Sequence, residues 1–379
     1  MLVVFAAAVG VIVYTFVGYP AIVAALARIR PRPVRADAGF EPSVSLVVVA
    51  HNEADVIAAR LENCFALDYP RDRLEVLVAA DGSDDATAEI AGRFPGVRVL
   101  HQTERRGKLA AMNRAAAAAG GDILVFSDAN NRYEAGALRH LVAPFADPGV
   151  GSTTGRKAID DGSGRPLDEA EGLYWRYESR LKEWESRIGS TAAVAGEILA
   201  FRREAFPSAP AGSITEDFVQ AMLVAAAGWR VVYVPEAVSL ERASATIGDE
   251  AVRRARLVTG RGQALARLLP LLARRDPVLL CQVVSHKALR PLVPWALVAA
   301  AASNLSLARR RRWARIAAAG QAGFYGAAAA GRRLERANRR SRVLYLPYYF
   351  CRMNFAGVVG AWRFLTGRHE AVWTRVRRG

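Results

Sequence analysis

Apolar and polar positions divide the chain into three parts. Residues 2–27 carry no charge, and Arg28, Arg30, Arg32 and Arg35 follow at once. From about 43 to 240, short β-branched runs alternate with amphipathic stretches. Beyond Gly260, apolar runs near 291–308, 314–330 and 343–362 are separated by arginine clusters.

The middle part predicts a layered fold. Val44–Ala50 is a continuous apolar run that ends in a polar cluster, the pattern of a buried parallel strand. Residues 54–66 read as a helix with Val56, Ile57, Leu61 and Phe65 on one side. Strand 74–80, helix 84–93, strand 97–101, helix 107–119 and strand 122–127 follow, with further helices over 168–188 and 218–227. This repetition predicts an α/β fold, a mostly parallel sheet with helices on both faces. Ligands of such sheets bind at the carboxyl ends of the strands. The clusters His51–Glu53, Asp81–Asp85 and Asp128–Asn131 each stand at such an end, so they share one rim. Leu173, Tyr177, Leu181, Trp184 and Ile188 recur at helical spacing, which favours a packing stripe over aromatic contact with a ligand.

The outer parts predict a membrane. A hydrocarbon core needs about 17–25 apolar residues. The first segment lacks a basic leader and outruns the roughly 7–15 apolar residues of a signal peptide, so an uncleaved anchor over 1–29 is expected. The arginines after it place residue 30 onward in the cytosol. Residues 263–287 mix leucine and valine with Arg267, Arg274, Arg275 and Lys287 and contain Pro270 and Pro277, which predicts broken amphipathic helices on the membrane surface. Membrane helices over 288–365 and a basic tail over 366–379 complete the expected layout. Run 314–330 is weakly hydrophobic, so three or four spans are expected in all.

Composition agrees with that division. The chain is 52% hydrophobic yet carries a net charge of +16, and its arginines crowd beside the apolar runs. That placement points to membrane lipid as the partner of the charge, and no recognised motif points to nucleic acid. Three cysteines without close spacing, Cys64, Cys281 and Cys351, exclude a disulfide framework and a zinc site and fit a reducing compartment.

Six polar segments carry candidate chemistry. Asn52 and Glu53 offer polar edges to a nucleotide base or cap the following helix. Asp81, thrust out at a strand end before Gly82, suits a uracil N–H or a ribose hydroxyl, and Asp84 or Asp85 caps the next helix. Lys108 at a helix start suits a diphosphate, through ammonium and dipole together, or is a solvated surface lysine. Asp128 and Asn130 lie two apart on extended chain and hold a hard divalent cation or cap a turn. Thr215 caps a helix whose head carries Glu216 and Asp217, candidates for a general base. Arg253 and Arg256, three apart on one helix face, clamp a diphosphate or bind anionic lipid.

Taken together, these segments resemble the family-2 inverting glycosyltransferases of the GT-A fold over about 43–262, with membrane helices on both sides as in the polysaccharide-synthase branch. The resemblance implies that Asp81 binds the nucleoside, Lys108 the donor diphosphate and Asp128 the metal, Mg²⁺ or Mn²⁺. It makes Asp217 the catalytic base and matches Arg256 to the arginine of a Gln-x-x-Arg-Trp motif. Gly196 falls in an acceptor loop, with Glu197 beside it. Three positions depart from the pattern: Ala80 replaces a first aspartate, Asn130 the second metal aspartate, and Arg253 and Leu257 the Gln and Trp of the last motif. Arg253 then supplies a second cation for the diphosphate, and repeated addition does not follow.

The implied reaction is transfer of a sugar, with inversion, from a nucleotide-sugar donor (a UDP-sugar by family habit) to a growing polysaccharide or glycan acceptor. The setting is the plasma (inner) membrane, with the catalytic domain cytoplasmic. A single addition to a lipid-linked acceptor is the alternative, and a non-catalytic nucleotide-binding regulator is the reading from another class. A transporter is disfavoured because the apolar runs hold almost no charge. The chain names no protein partner.

Overall fold

The computed structural model describes residues 1–160, 166–207, 209, 210, 212–337, 339 and 341–368. The basic tail expected at 366–379 therefore falls outside the described residues from 369 onward.

The expected alternation is present: β1 (Val44–Ala50), α1 (Ile57–Phe65), β2 (Leu74–Asp81), α2 (Thr87–Gly92), β3 (Val97–Gln102), α3 (Lys108–Ala118) and β4 (Ile123–Asp128). β5 (Asn131–Tyr133), α4 (Ala137–Val142), β6 (Val150–Asp160), α5 (Pro166–Ile188), β7 (Leu199–Arg202), α6 (Glu216–Ala226) and β8 (Arg230–Arg242) follow. All eight strands form one sheet in the order β3-β2-β1-β4-β7-β6-β8-β5. The half β3-β2-β1-β4 is wholly parallel, as the helical crossovers require. The other half is mixed, because β7 runs antiparallel to both β4 and β6, and β5 antiparallel to β8.

Burial explains why the parallel strands read as continuous apolar runs. Every residue of β1 is buried. Its alternate side chains serve two cores: Val47 and Val49 pack with Leu77, Leu124 and Phe126 beneath α3 and α6. Val44, Leu46 and Val48 pack with Val76, Val78 and Ile123 beneath α1 and α4. At roughly 1.5–3 kcal/mol for each large side chain buried, these two layers hold the rim on which the polar clusters sit.

The remaining helices differ from expectation in their joints. α7 (Ile247–Arg275) runs unbroken through Pro270, so the broken helices predicted for 263–287 are instead the end of one long helix and the start of another. Proline removes one backbone donor but does not force a break where packing holds the helix, and Leu265, Leu268 and Leu272 are buried on both sides of it. The chain turns at Asp276, whose side chain accepts from the Leu279 N–H at 2.9 Å. It then forms the helical segment α8 (Pro277–Ala308). α8 and the N-terminal helical segment αN (Leu2–Ile29) are long and apolar enough to cross a membrane. α9 (Arg312–Arg336) and α10 (Arg342–Leu365) are of similar length but less apolar.

These helices dock on the sheet domain. Tyr19, Val23 and Ala27 of αN pack on Tyr177, Leu181, Trp184 and Ile188 of α5, which is the stripe predicted on the latter helix. Leu173 stands outside that cluster and is 51% exposed. Cys64 is buried while Cys281 is exposed, and all three cysteines are unpaired.

Candidate active site

The rim is built from strand ends. After β1, Asn52 takes a left-handed conformation (φ 55°). Its amide donates to Asp84 Oδ1 at 2.6 Å and its Oδ1 accepts from the Asp84 N–H at 3.0 Å. Asn52 thus ties two rim loops together, and the N-cap position of α1 falls on Val56, which gives no side-chain cap. Asp85 sits at the head of α2, where its carboxylate accepts from the N–H of Thr87 at 3.0 Å and of Ala54 at 3.1 Å.

After β2, Asp81 is 3% exposed. Its two oxygens accept from the backbone N–H groups of Arg106 (3.1 Å) and Gly107 (2.6 Å). Gly82, with φ +64°, lies so close to the same loop that a Cβ there would meet Arg105 at 2.7 Å. Asp81 and Asn52 do not line the central cavity; Asp81 fixes the loop that delivers Lys108, and Asn52 fixes the loop at Asp84.

That cavity, about 990 Å³, opens where β4, α6 and α7 converge. Lys108, Asp128 and Asn130 form one wall, Glu216 and Asp217 a second, and Arg253, Arg256 and Leu257 a third. Glu53, Gly196 and Glu197 line it as well. Residues 204 positions apart in sequence, Glu53 and Leu257, thus frame one site, with Asp81 and Asn52 outside it.

Its electrostatics are those of a cation held among acids. The Lys108 ammonium lies 2.6 Å from Asp128 and 3.6 Å from Glu216. Burial lowers its proton affinity, but Asp128 and Glu216 outweigh this and keep it firmly charged. Burial lifts the Asp217 carboxyl above its ordinary value; Lys108 opposes this while Glu197 and Asp128 add to it. Glu216 is raised in the same way, by burial first, with Lys108 opposing. Burial also pushes the Arg256 guanidinium down, although Glu216, Asp217 and Asp128 face it. Arg256 Nε is buried with no hydrogen-bond partner, which leaves a donor for an anionic ligand. Arg253 differs: Glu250 binds it at 2.7 Å and Glu171 lies at 3.6 Å, so two acids already share its charge.

Thr215, expected to cap α6, does not do so with its side chain, and its hydroxyl is buried without a partner. Glu216 and Asp217 occupy the first turn, where the helix dipole favours negative charge. Gly196 lies against Asp217: a Cβ there would stand 2.9 Å from its Oδ2. Gly196→Ala is therefore expected to displace that carboxylate and cut turnover by up to about 10²-fold, the scale of a misplacement near 1 Å. Circular dichroism and kinetics on the same preparation check this, and unchanged turnover would release Gly196 from the role.

Sequence reasoning missed Lys157 and Glu241, which line the cavity from β6 and β8. Lys157 is buried, forms an ion pair with Glu241 and lies 3.4 Å from Glu197. Burial favours the neutral form of Glu197, but the Lys157 ammonium holds its carboxyl below the usual range. The available signal was a pair of charged residues, Arg156 and Lys157, inside a strand.

For a divalent cation, Asp128 and Asn130 supply hard oxygen donors at one edge of the cavity. Among the described residues no three His, Cys, Asp or Glu side chains cluster as a complete ligand set. That fits Mg²⁺ or Mn²⁺, which commonly take one or two carboxylates plus substrate phosphates. It does not fit an all-protein cage.

Comparison with known proteins agrees with this geometry. Residues 45–208 match the family model "Glycosyl transferase family 2". The chain is 28% identical over 220 residues to the probable glycosyltransferase YdaM of Bacillus subtilis (strain 168), covering 53% of this chain and 51% of that one. It is 28% identical over 186 residues to the beta-monoglucosyldiacylglycerol synthase of Trichormus variabilis, covering 47% and 40%. The matches thus span about half the length of these curated relatives or less. Among solved structures it is similar to the mannosyltransferase PcManGT from Pyrobaculum calidifontis in complex with GDP-Man and Mn²⁺, at 27% identity. That similarity has a TM-score of 0.72 and covers 97% of this chain and 100% of the other. The chain thus carries a glycosyl transferase family 2 domain over residues 45–208 and shares the GT-A architecture of its structural neighbour.

Proposed function

We propose that the protein transfers a sugar, with inversion, from a nucleotide-sugar donor to a glycan or lipid-linked acceptor at a membrane surface. The observation that carries this reading is the convergence of Lys108, Arg256, Asp128 and Asp217 on one cavity. Lys108 and Arg256 bind the donor diphosphate and stabilise its departing charge. Arg253 borders the same wall with its charge already shared by Glu250 and Glu171, so Lys108 and Arg256 are the cations left for the diphosphate. A divalent cation, held by Asp128 and Asn130, would neutralise the diphosphate further. Asp217, lifted toward neutrality, accepts the acceptor hydroxyl proton, and Gly196 leaves room for that carboxylate. Glu197 lies on the acceptor side, with Lys157 holding it charged. Glu53 borders the donor side, Asp81 acts through the loop that carries Lys108, and Asn52 acts through the neighbouring loop at Asp84.

Leu257 lines the cavity where processive relatives carry tryptophan, which favours a single addition over polymerisation. The diacylglycerol named in the Trichormus relative supports a lipid-borne acceptor, and the GDP-mannose of PcManGT adds a GDP-sugar to the donors worth testing. αN and α8 would place the cavity at the cytoplasmic face, with arginine-rich flanks inside.

The test is a screen of the purified protein in detergent against radiolabelled UDP- and GDP-sugars, scoring hydrolysis and transfer. Transfer is expected with one donor class, abolished by EDTA and restored by Mn²⁺ or Mg²⁺. Full activity in chelator would remove Asp128 and Asn130 from metal binding. Nucleotide binding with no turnover of any donor would favour a regulator instead.

A further inference from the structure

α7 presents two different faces. Arg253, Arg256 and Leu257 face the catalytic cavity, whereas Arg254, Val258 and Arg261, spaced four and then three apart, face a second cavity of about 860 Å³. Most of the wall of that second cavity is apolar, from Phe16 of αN, Pro294 of α8 and Leu346, Phe350 and Met353 of α10. It therefore lies among the elements that a bilayer would surround.

One end of this apolar chamber is strongly cationic. The Tyr174 hydroxyl accepts from Arg254 at 3.1 Å and from Arg290 at 3.5 Å, and all three side chains line the cavity. Arg261 joins them there. Glu178 is the carboxylate facing this group: Arg290 lies 2.5 Å from it, Lys287 3.8 Å and His286 3.2 Å. A second carboxylate, Glu185, lies 2.7 Å from His286, and two acids against Arg254, Arg261, Arg290 and Lys287 leave net positive charge. Arg290 is 9% exposed, and its Nε and Nη2 are buried without hydrogen-bond partners. Burial pushes the Arg261 guanidinium below its ordinary value, and Arg254 and Arg290 deepen that shift. Buried cations of one sign are costly unless an anion joins them.

We infer that this second cavity binds a membrane phospholipid with an anionic headgroup, its phosphate on Arg254, Arg261 and Arg290 and an acyl chain along the apolar wall. Guanidiniums suit phosphate because their forked donors match its oxygens. The site is separated from the catalytic cavity by α7 and requires only that the helices meet a bilayer, so it goes beyond the proposed reaction.

The experiment uses the full chain, delipidated in detergent and titrated with phosphatidylglycerol or phosphatidylcholine of equal acyl length. Native mass spectrometry counts the lipid that stays bound. One phosphatidylglycerol per chain is expected, with phosphatidylcholine much weaker. Arg261→Gln is expected to raise its Kd about tenfold or more, the scale of one lost charge-assisted hydrogen bond. Gly357→Leu tests the apolar wall without touching charge, since a Cβ there meets only Pro294, at 3.8 Å. It is expected to weaken phosphatidylglycerol similarly and carries the test if Arg261→Gln does not fold. Equal retention by wild type and variants, equal affinity for phosphatidylcholine, or displacement by millimolar inorganic phosphate alone would each overturn the inference.

Discussion

Asp217→Asn is expected to reduce sugar transfer roughly 10²–10⁴-fold, the usual contribution of a general base, while nucleotide binding persists. Asparagine keeps the volume and the place at the head of α6 but cannot accept a proton. The environment supplies a second signature. Burial, with Glu197 and Asp128 adding to it and Lys108 opposing, holds the Asp217 carboxyl above its ordinary value. Its folded value thus exceeds its unfolded value, so its contribution to stability is full at low pH and is lost as pH rises through the raised value. Removing the charge is expected to raise Tm at neutral pH, by about 2–4 °C per kcal/mol of strain relieved. Transfer by the wild-type enzyme should rise with pH through that same value, because the base must be ionised. Thermal denaturation and a pH–rate profile read these effects. Near-normal turnover, or a fall in Tm, would remove Asp217 from the role of buried base.

The second large effect belongs to Lys108. Lys108→Met is expected to abolish donor binding and to destabilise the domain together, because the ammonium serves both. It lies between Asp128 and Glu216, and removing it leaves two acids facing each other. Loss of one partner from a fully buried pair costs about 3–5 kcal/mol. Less is expected here, since the Asp128 side chain is 36% exposed and water screens it. Because its folded value is raised, the stabilisation from Lys108 is present below its unfolded value of about 10.4 and is lost only as pH climbs through the higher folded one. The wild-type pair therefore holds across the neutral range, and the variant loses it throughout. Calorimetric titration with nucleoside diphosphate and Mn²⁺, beside a melt, separates the two effects. Unchanged affinity with a lowered Tm would make Lys108 a purely structural cation.

Local pattern by itself determined the parallel half of the sheet and the rim. β1 to β4 are legible because strands buried on both faces must be apolar throughout, and their carboxyl ends must turn into polar loops. Lys108, Asp128, Glu216 and Asp217 stand at such junctions, where polar residues interrupt apolar runs, so they were visible as candidates. The apolar runs of αN and α8 were visible for the same reason, since length and hydropathy are local properties, whereas those at 314–330 and 343–362 lie in less apolar helices. Tertiary structure alone decided which candidates meet. Asp81 and Asn52 have the right chemistry but spend it on the 105–107 loop and on Asp84. Lys157 and Glu241 reach the cavity from strands 84 positions apart, and their pairing has no signature in either segment. Pro270 signals a break locally, yet packing of Leu265, Leu268 and Leu272 in the hydrophobic core carries α7 through it. The two faces of α7 show the limit most plainly: periodicity places Arg253 and Arg256 together and Arg254 and Arg261 together. Only the helices that close around α7 make the one face part of a catalytic cleft and the other an apolar chamber with a cationic end.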